Sequence, residues 1–154
     1  MEDVVVEAQR IHYHLFSHLF QGFSNAIFIN VFTWPNRGDH AITLGQRILL
    51  KKFNISLVGY CLFPEKKCHL DNVTSSNDLL VFVQGGGYIG DNGHRLWIQK
   101  LIRKFPNSRV IFFPNSFSDT NRLNDVVFKR LFTSHKDLHL MLRDRFSYEV
   151  SLPI

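Results

Sequence analysis

A chain of 154 residues, 45% hydrophobic and 20% charged, has the size and apolar content for one continuous core, which excludes a disordered segment and shows no second domain. Lysine and arginine outnumber aspartate and glutamate by 18 to 13, so the partners to expect are anions: phosphorylated metabolites, anionic glycolipid carriers, membrane surfaces or nucleic acid. The basic residues are scattered and no nucleic-acid module accompanies them, which removes nucleic acid from that set.

No apolar run approaches the roughly 18 residues that a membrane span needs. Residues 26–34 come nearest, and they include Asn30. The acidic opening Met1-Glu2-Asp3 lacks the positive-then-apolar pattern of a secretory signal, so the expected location is cytoplasmic. Cys61 and Cys68, the only cysteines, match neither a CxxC pair nor a zinc framework and are expected to be thiols in a reducing compartment.

In chain order, residues 8–20 predict an amphipathic helix, because Ile11, Leu15 and Leu19 recur every fourth position. Residues 26–32, rich in Ile, Val and Phe, read as a buried strand closed by the turn Trp34-Pro35-Asn36-Arg37-Gly38. Asp39 is then the expected N-cap of a helix over 40–53, whose inner face would carry Ile42, Gln46, Leu49 and Phe53. A strand over 55–62 leads into a polar, turn-rich loop over 64–77. Residues 79–83 are a continuous apolar strand that meets Gly85-Gly86-Gly87. A helix over 93–105 stops before Pro106, a strand over 109–113 before Pro114, and 119–132 predicts another helix. The last strand is 138–142, and 145–150 begins a final helix. Strands alternating with helices predict an α/β fold, a Rossmann-like parallel sheet of about five strands with helices on both faces, as a single domain over 1–154.

Four polar stretches fall where a strand gives way to a loop or helix. In an open parallel sheet, ligands bind in the crevice outside the carboxyl ends of the strands. Asn36, Gly38 and Asp39 offer an amide, a turn glycine and a carboxylate, with His40 beside them. They form either a plain capped turn or a place where Asp39 orients a sugar hydroxyl or takes its proton. Gly85-Gly86-Gly87-Tyr88-Ile89-Gly90-Asp91 has neither the dinucleotide spacing nor the Walker ending. It either allows tight packing or brings backbone amides to a phosphate or carboxylate. Asp91, His94 and Arg95 add an acid, a base and a cation just beyond it. Pro114-Asn115-Ser116 is either a simple turn or a pair of hydrogen-bonding side chains at a strand end. Arg143-Asp144, with Ser147, either closes the last strand as an ion pair or lets Arg143 hold a carboxylate through two bonds. His14 and His18 have a metal-like spacing without a third ligand, and no metal is expected there.

Taken in this order, Asn36-Arg37-Gly38-Asp39-His40-Ala41-Ile42, Val83-Gln84 with the glycine run to Asp91, Ile111-Phe112-Phe113-Pro114 with Phe117-Ser118-Asp119-Thr120, and Leu142-Arg143-Asp144 through Ser147-Tyr148 resemble the polysaccharide pyruvyl transferase family, and within it the exopolysaccharide-biosynthesis branch. The resemblance runs over residues 26–148 and implies a fold like the N-terminal half of a two-domain GT-B protein. It implies transfer of the enolpyruvyl group of phosphoenolpyruvate onto a sugar of a polysaccharide or lipid-linked glycan. Phosphoenolpyruvate would be the donor substrate, with no cofactor, and a lipid-linked acceptor would bring the protein to a membrane surface. On that resemblance Asp39 handles the hydroxyl proton, and His94 and His40 are candidate acids. Asn36, Gly38, Gly85, Gly86, Gly87, Gly90, Asp91, Asn115, Ser116, Arg143, Asp144 and Ser147 would surround the substrates.

Two departures qualify the match. Asn115 stands where family members commonly carry Gln, and the family's second half, with its basic residues for phosphoenolpyruvate, has no counterpart after Ile154. The expectation is therefore a fragment, or a chain completed by another. The rival readings are a catalytically inactive remnant that binds a glycan or phosphorylated sugar, and a glycosyltransferase-like protein that uses a nucleotide sugar.

Overall fold

The computed structural model describes residues 2–89, 92–117, 130 and 132–151. Its strands are β1 (Asn25–Phe32), β2 (Ser56–Phe63), β3 (Cys68–His69), β4 (Leu79–Val83), β5 (Gly86–Ile89), β6 (Arg109–Phe117) and β7 (Leu138–Leu142). Its helices are α1 (Glu2–Phe20), α2 (Arg37–Lys52), α3 (Asn92–Ile102) and α4 (Arg145–Ser151). Among the described residues one seven-stranded sheet holds them all, and every pairing is parallel except the short antiparallel β2–β3 contact.

The expected five parallel strands are β1, β2, β4, β6 and β7. β1 lies between β2 and β4, and β4 pairs with β6. Since β4 and β7 both pair with the middle of β6, they occupy its two edges, and β5 extends the line of β4 beyond a break at Gln84-Gly85. The chain therefore winds outward from β1 to β2 and then reverses to β4. That reversal is the topological switch point of a doubly wound sheet.

Helices cover both faces because the strands are apolar on both faces. Ile27, Ile29, Val81, Val83, Val110 and Phe112 pack with Ile98, Leu101 and Ile102 of α3. Ala26, Phe28, Leu80, Phe82, Ile111 and Phe113 pack with Phe16 and Phe20 of α1 and Leu50 of α2. Truncating one of the fully buried Phe28, Phe82 or Phe112 rings to alanine would cost about 3–5 kcal/mol through lost burial and an unfilled cavity.

Several expectations need correction. The stripe Ile11, Leu15 and Leu19 is not the buried side of α1: Ile11 is 57% and Leu15 44% exposed. Phe16 and Phe20 face the sheet instead, Phe16 stacking on Phe113 and Phe20 meeting Phe82 edge to face, because two aromatic rings one turn apart bury more surface than the aliphatic row beside them. The glycine run is not all loop, since Gly86 to Ile89 form β5. Pro114 does not end its strand: β6 continues to Phe117, and the proline sits in an irregularity of the β6–β7 pairing where no ladder hydrogen bond is required of it. The loop after β2 contains β3, which sets Cys68 opposite Cys61. The two form a disulfide of S–S 2.07 Å rather than the expected thiols. The helix expected over 119–132 lies outside the described residues except for Arg130 and Phe132 at its end.

Candidate active site at the strand ends

α2 begins one turn earlier than its sequence suggests. Asn36 is the N-cap, its Oδ1 accepting from the Gly38 backbone N–H at 2.9 Å, and Asp39 lies within the first turn. A side-chain cap of this kind is worth about 1 kcal/mol. Asp39 is thereby free of the cap and turns to Trp34, whose Nε1–H donates to Oδ2 at 2.9 Å. His40 Nε2 donates to the Trp34 carbonyl at 3.0 Å, which places the remaining lone pair of a neutral ring on Nδ1.

Gln84 joins this turn to the sheet. It is buried, just after β4. Its Oε1 accepts from Phe32 N at 3.3 Å and from Thr43 Oγ1 at 3.1 Å, and its Nε2 donates to the Asp39 carbonyl at 3.2 Å. On the other side Asn115 Nδ2 donates to Phe113 O at 2.6 Å and reaches Gln84 O at 3.5 Å. Three amide side chains, Asn30 of β1, Gln84 and Asn115 of β6, thus stand at the carboxyl ends of neighbouring strands, all buried. Among the described residues Asn30, with φ of 66°, leaves both amide atoms without a partner, and Asn115 leaves Oδ1 unpaired. Each such group costs about 1–3 kcal/mol, so the fold spends stability at this rim in a way it does not inside the sheet.

The glycine run and the last two polar stretches meet on β6. A Cβ on Gly85 would lie 2.8 Å from the Pro114 carbonyl, a backbone atom that cannot yield, so this glycine is required for strand contact. Gly86 pairs with Asn115, and a Cβ on Gly87 would come within 3.1 Å of the Arg143 guanidinium. Arg143 Nε donates to Ser116 Oγ at 2.7 Å, and Ser116 in turn donates to Asp144. Ser147 donates to Asp144 through both its backbone N–H (2.7 Å) and its hydroxyl (2.9 Å), and that hydroxyl accepts from Phe117 N at 2.9 Å. The Ser116 hydroxyl, then the two Ser147 donors, hold the Asp144 carboxyl below the ordinary carboxylate range, with the Arg143 charge adding to them. Arg143 is exposed, and its terminal nitrogens have no hydrogen-bond acceptor among the described residues.

Of the residues chosen from sequence, Asn36, Gly38, Asp39 and His40 form one cluster around Trp34. Gly85, Gly86, Gly87, Asn115, Ser116, Arg143, Asp144 and Ser147 form a second, and Gln84 bridges the two. Gly90 and Asp91 lie outside the described residues, and His94 belongs to the first turn of α3 with its side chain likewise outside them. Sequence reading missed Gln84, Thr43 and Asn30. The signal was there for Gln84, a lone amide placed between an all-apolar strand and a glycine run. His14 and His18 meet edge to face with ring centroids 4.6 Å apart, and among the described residues no three acidic, histidine or cysteine side chains gather as a metal site.

A doubly wound parallel sheet with buried amides at its strand ends and an exposed guanidinium just after β7 defines a Rossmann-like domain. Fold alone does not choose the chemistry. The family model described as polysaccharide pyruvyl transferase matches residues 36–152, and the chain belongs to that family. EpsO of Bacillus subtilis, a candidate pyruvyl transferase, is similar at 27% identity over 134 residues, covering 81% of this chain and 38% of its own length. Pyruvyl transferase 1 of Schizosaccharomyces pombe is 26% identical over 157 residues, covering 96% of this chain and 38% of its own. The chain thus spans about two fifths of the length of these curated relatives. No helix among the described residues is long and apolar enough to cross a membrane.

Proposed function

We propose that this domain takes part in moving the enolpyruvyl group of phosphoenolpyruvate onto a sugar of a polysaccharide or lipid-linked glycan, forming a pyruvate ketal. In that reaction the methylene carbon gains a proton, two sugar oxygens bond to the former enol carbon, and inorganic phosphate leaves with the second hydroxyl proton. The reading rests on the junction of the Asp39 cluster and the Arg143 cluster through Gln84, beside family membership. Asp39, at a helix start and held among the described residues by the Trp34 indole N–H, is the group assigned to take a hydroxyl proton. Arg143 has donors to spare for a carboxylate or phosphate; among the described residues Asn30 Nδ2 is a further unpaired donor for a substrate oxygen, and the unpaired Oδ1 atoms of Asn30 and Asn115 can accept from a sugar hydroxyl. His40, whose Nε2–H is committed to Trp34, and His94 are the candidates for the acid that protonates carbon. The remaining donor contacts would come from the second domain of a GT-B arrangement, on further sequence or another chain.

The test is to mix the protein with phosphoenolpyruvate and a panel of sugars and follow phosphate release. Release that depends on a sugar is expected. Phosphoenolpyruvate bound without release would mark a binding protein, and a melting-temperature rise with nucleotide sugars but not with phosphoenolpyruvate would replace the reading by a glycosyltransferase-like one.

A further inference from the structure

A groove of about 400 Å³ opens between α1, α2 and β6, next to the rim, with Gly85 and Arg143 in common with the site described above. Its volume falls in the ~300–1,000 Å³ range of small-molecule sites. Phe16, Leu49, Phe113 and Pro114 make its walls apolar, and three side chains, His12, Gln46 and Arg143, break that character. Gln46 is 4% exposed, and its Nε2 is buried with no hydrogen-bond partner among the described residues. Arg143 lines the same groove, its terminal nitrogens likewise unpaired among the described residues.

Gly45 supplies an independent indication. It lies in the interior of α2, where glycine costs about 0.5–1 kcal/mol relative to alanine. Its backbone has no positive φ, and a Cβ built on it would meet nothing within 4 Å. Neither backbone geometry nor packing requires a glycine there. What its missing side chain does is leave the groove open.

We propose that this groove binds an anionic amphiphile, its apolar chain against Phe16, Leu49 and Phe113 and the oxygens of its head group accepting hydrogen bonds from Arg143 and Gln46. A purely apolar ligand would leave the Gln46 donor unsatisfied, at a cost of about 1–3 kcal/mol, while a head-group oxygen satisfies it. A small anion alone would leave the apolar walls in water. Only a ligand with both parts fits both observations. The inference does not depend on pyruvyl transfer, although the shared Arg143 and Gly85 place the head group beside that site.

The experiment titrates the full chain with decyl phosphate, decanoate, decanol and inorganic phosphate, each below its aggregation concentration, by calorimetry. Decyl phosphate or decanoate is expected to bind at least about tenfold more tightly than decanol or inorganic phosphate. Which of the two heads binds better separates a phosphate from a carboxylate ligand. Gly45→Phe should weaken that binding at least about tenfold while the melting temperature and phosphoenolpyruvate binding hold, and Gly45→Leu repeats the block with a smaller side chain should the larger one unfold the helix. Arg143→Gln should bring the anionic probes down to the affinity of decanol. Equal binding of decanol and decyl phosphate, or undiminished binding in the blocked variants, would overturn the proposal. So would a dimer that Gly45→Phe dissociates in the absence of amphiphile binding, since the groove would then seat a second copy. Phosphate release is scored in its own assay, so loss of the transfer reading leaves this result intact.

Discussion

The two ends of β6 and β7 carry similar side chains in opposite states. At the amino end, Arg109 Nε donates to both carboxylate oxygens of Asp137 (3.1 and 2.9 Å), Nη1 donates to the Leu19 carbonyl at 2.8 Å, and the guanidinium lies over the Phe23 ring. His139 Nε2 adds a further contact to Asp137 at 2.8 Å. Each charge there is answered, and the cluster ties α1 to the sheet. At the carboxyl end, among the described residues, Arg143 makes one side-chain hydrogen bond, to Ser116, while Asn115 nearby keeps a buried oxygen unpaired. An arginine beside an aspartate is thus a structural clamp at one end of the strands and an open donor at the other. What separates them is whether the fold supplies acceptors for the remaining N–H groups.

The largest effect expected from this contrast is at Asp39. Asp39→Asn keeps an oxygen for Trp34 but removes the proton acceptor, so sugar-dependent phosphate release should fall about 100-fold or more with little change in melting temperature. An unchanged rate would leave Asp39 a helix-start residue only. Next comes the pair of arginines. Arg143→Ala should lower turnover about tenfold or more and change stability by less than about 1 kcal/mol, whereas Arg109→Met should cost about 2 kcal/mol in urea denaturation and leave ligand binding alone. The same loss of stability from both would erase the distinction between the two ends.

The smallest expected effect is in acid. Burial pushes the Asp137 carboxyl up, but Arg109 and His139 outweigh it and hold it below its ordinary value, as Ser116 and Ser147 do for Asp144. For a carboxyl lowered in the folded state, the stabilisation is present above the unfolded value of about 4 and is lost as pH falls through the folded one. Stability measured from neutral pH downward should therefore decline below about pH 4, and Asp137→Asn should make that decline shallower. An identical decline in the variant would assign it to other groups.

Much of the fold was legible locally. The strand expected over 79–83 is β4, that over 138–142 is β7, and both agree to the residue, because a short apolar run between turn residues, unbroken in β4 and broken only by His139 in β7, has few alternatives. α1 shows the limit. Its periodicity announced a helix, but two apolar rows compete on its surface, and only the rings of Phe82 and Phe113 on the sheet favour Phe16 and Phe20. Asp39 shows another: Asp and Asn are both good caps, and the choice fell to Asn36 while Trp34 took the aspartate.

The amino-acid sequence on its own determined the five long strands, that they alternate with helices into a parallel sheet, and that polar residues gather where strands end, since hydrophobic runs and turn residues act over a few neighbours; it did not show β3 or β5. The tertiary structure decided which of those polar groups are satisfied. Thr43 reaches Gln84 across 41 residues, Arg143 reaches Ser116 across 27, and β3 brings Cys68 to Cys61. A hydrogen bond has no periodicity to read, and whether a buried amide or guanidinium finds its acceptor depends on the strand placed beside it.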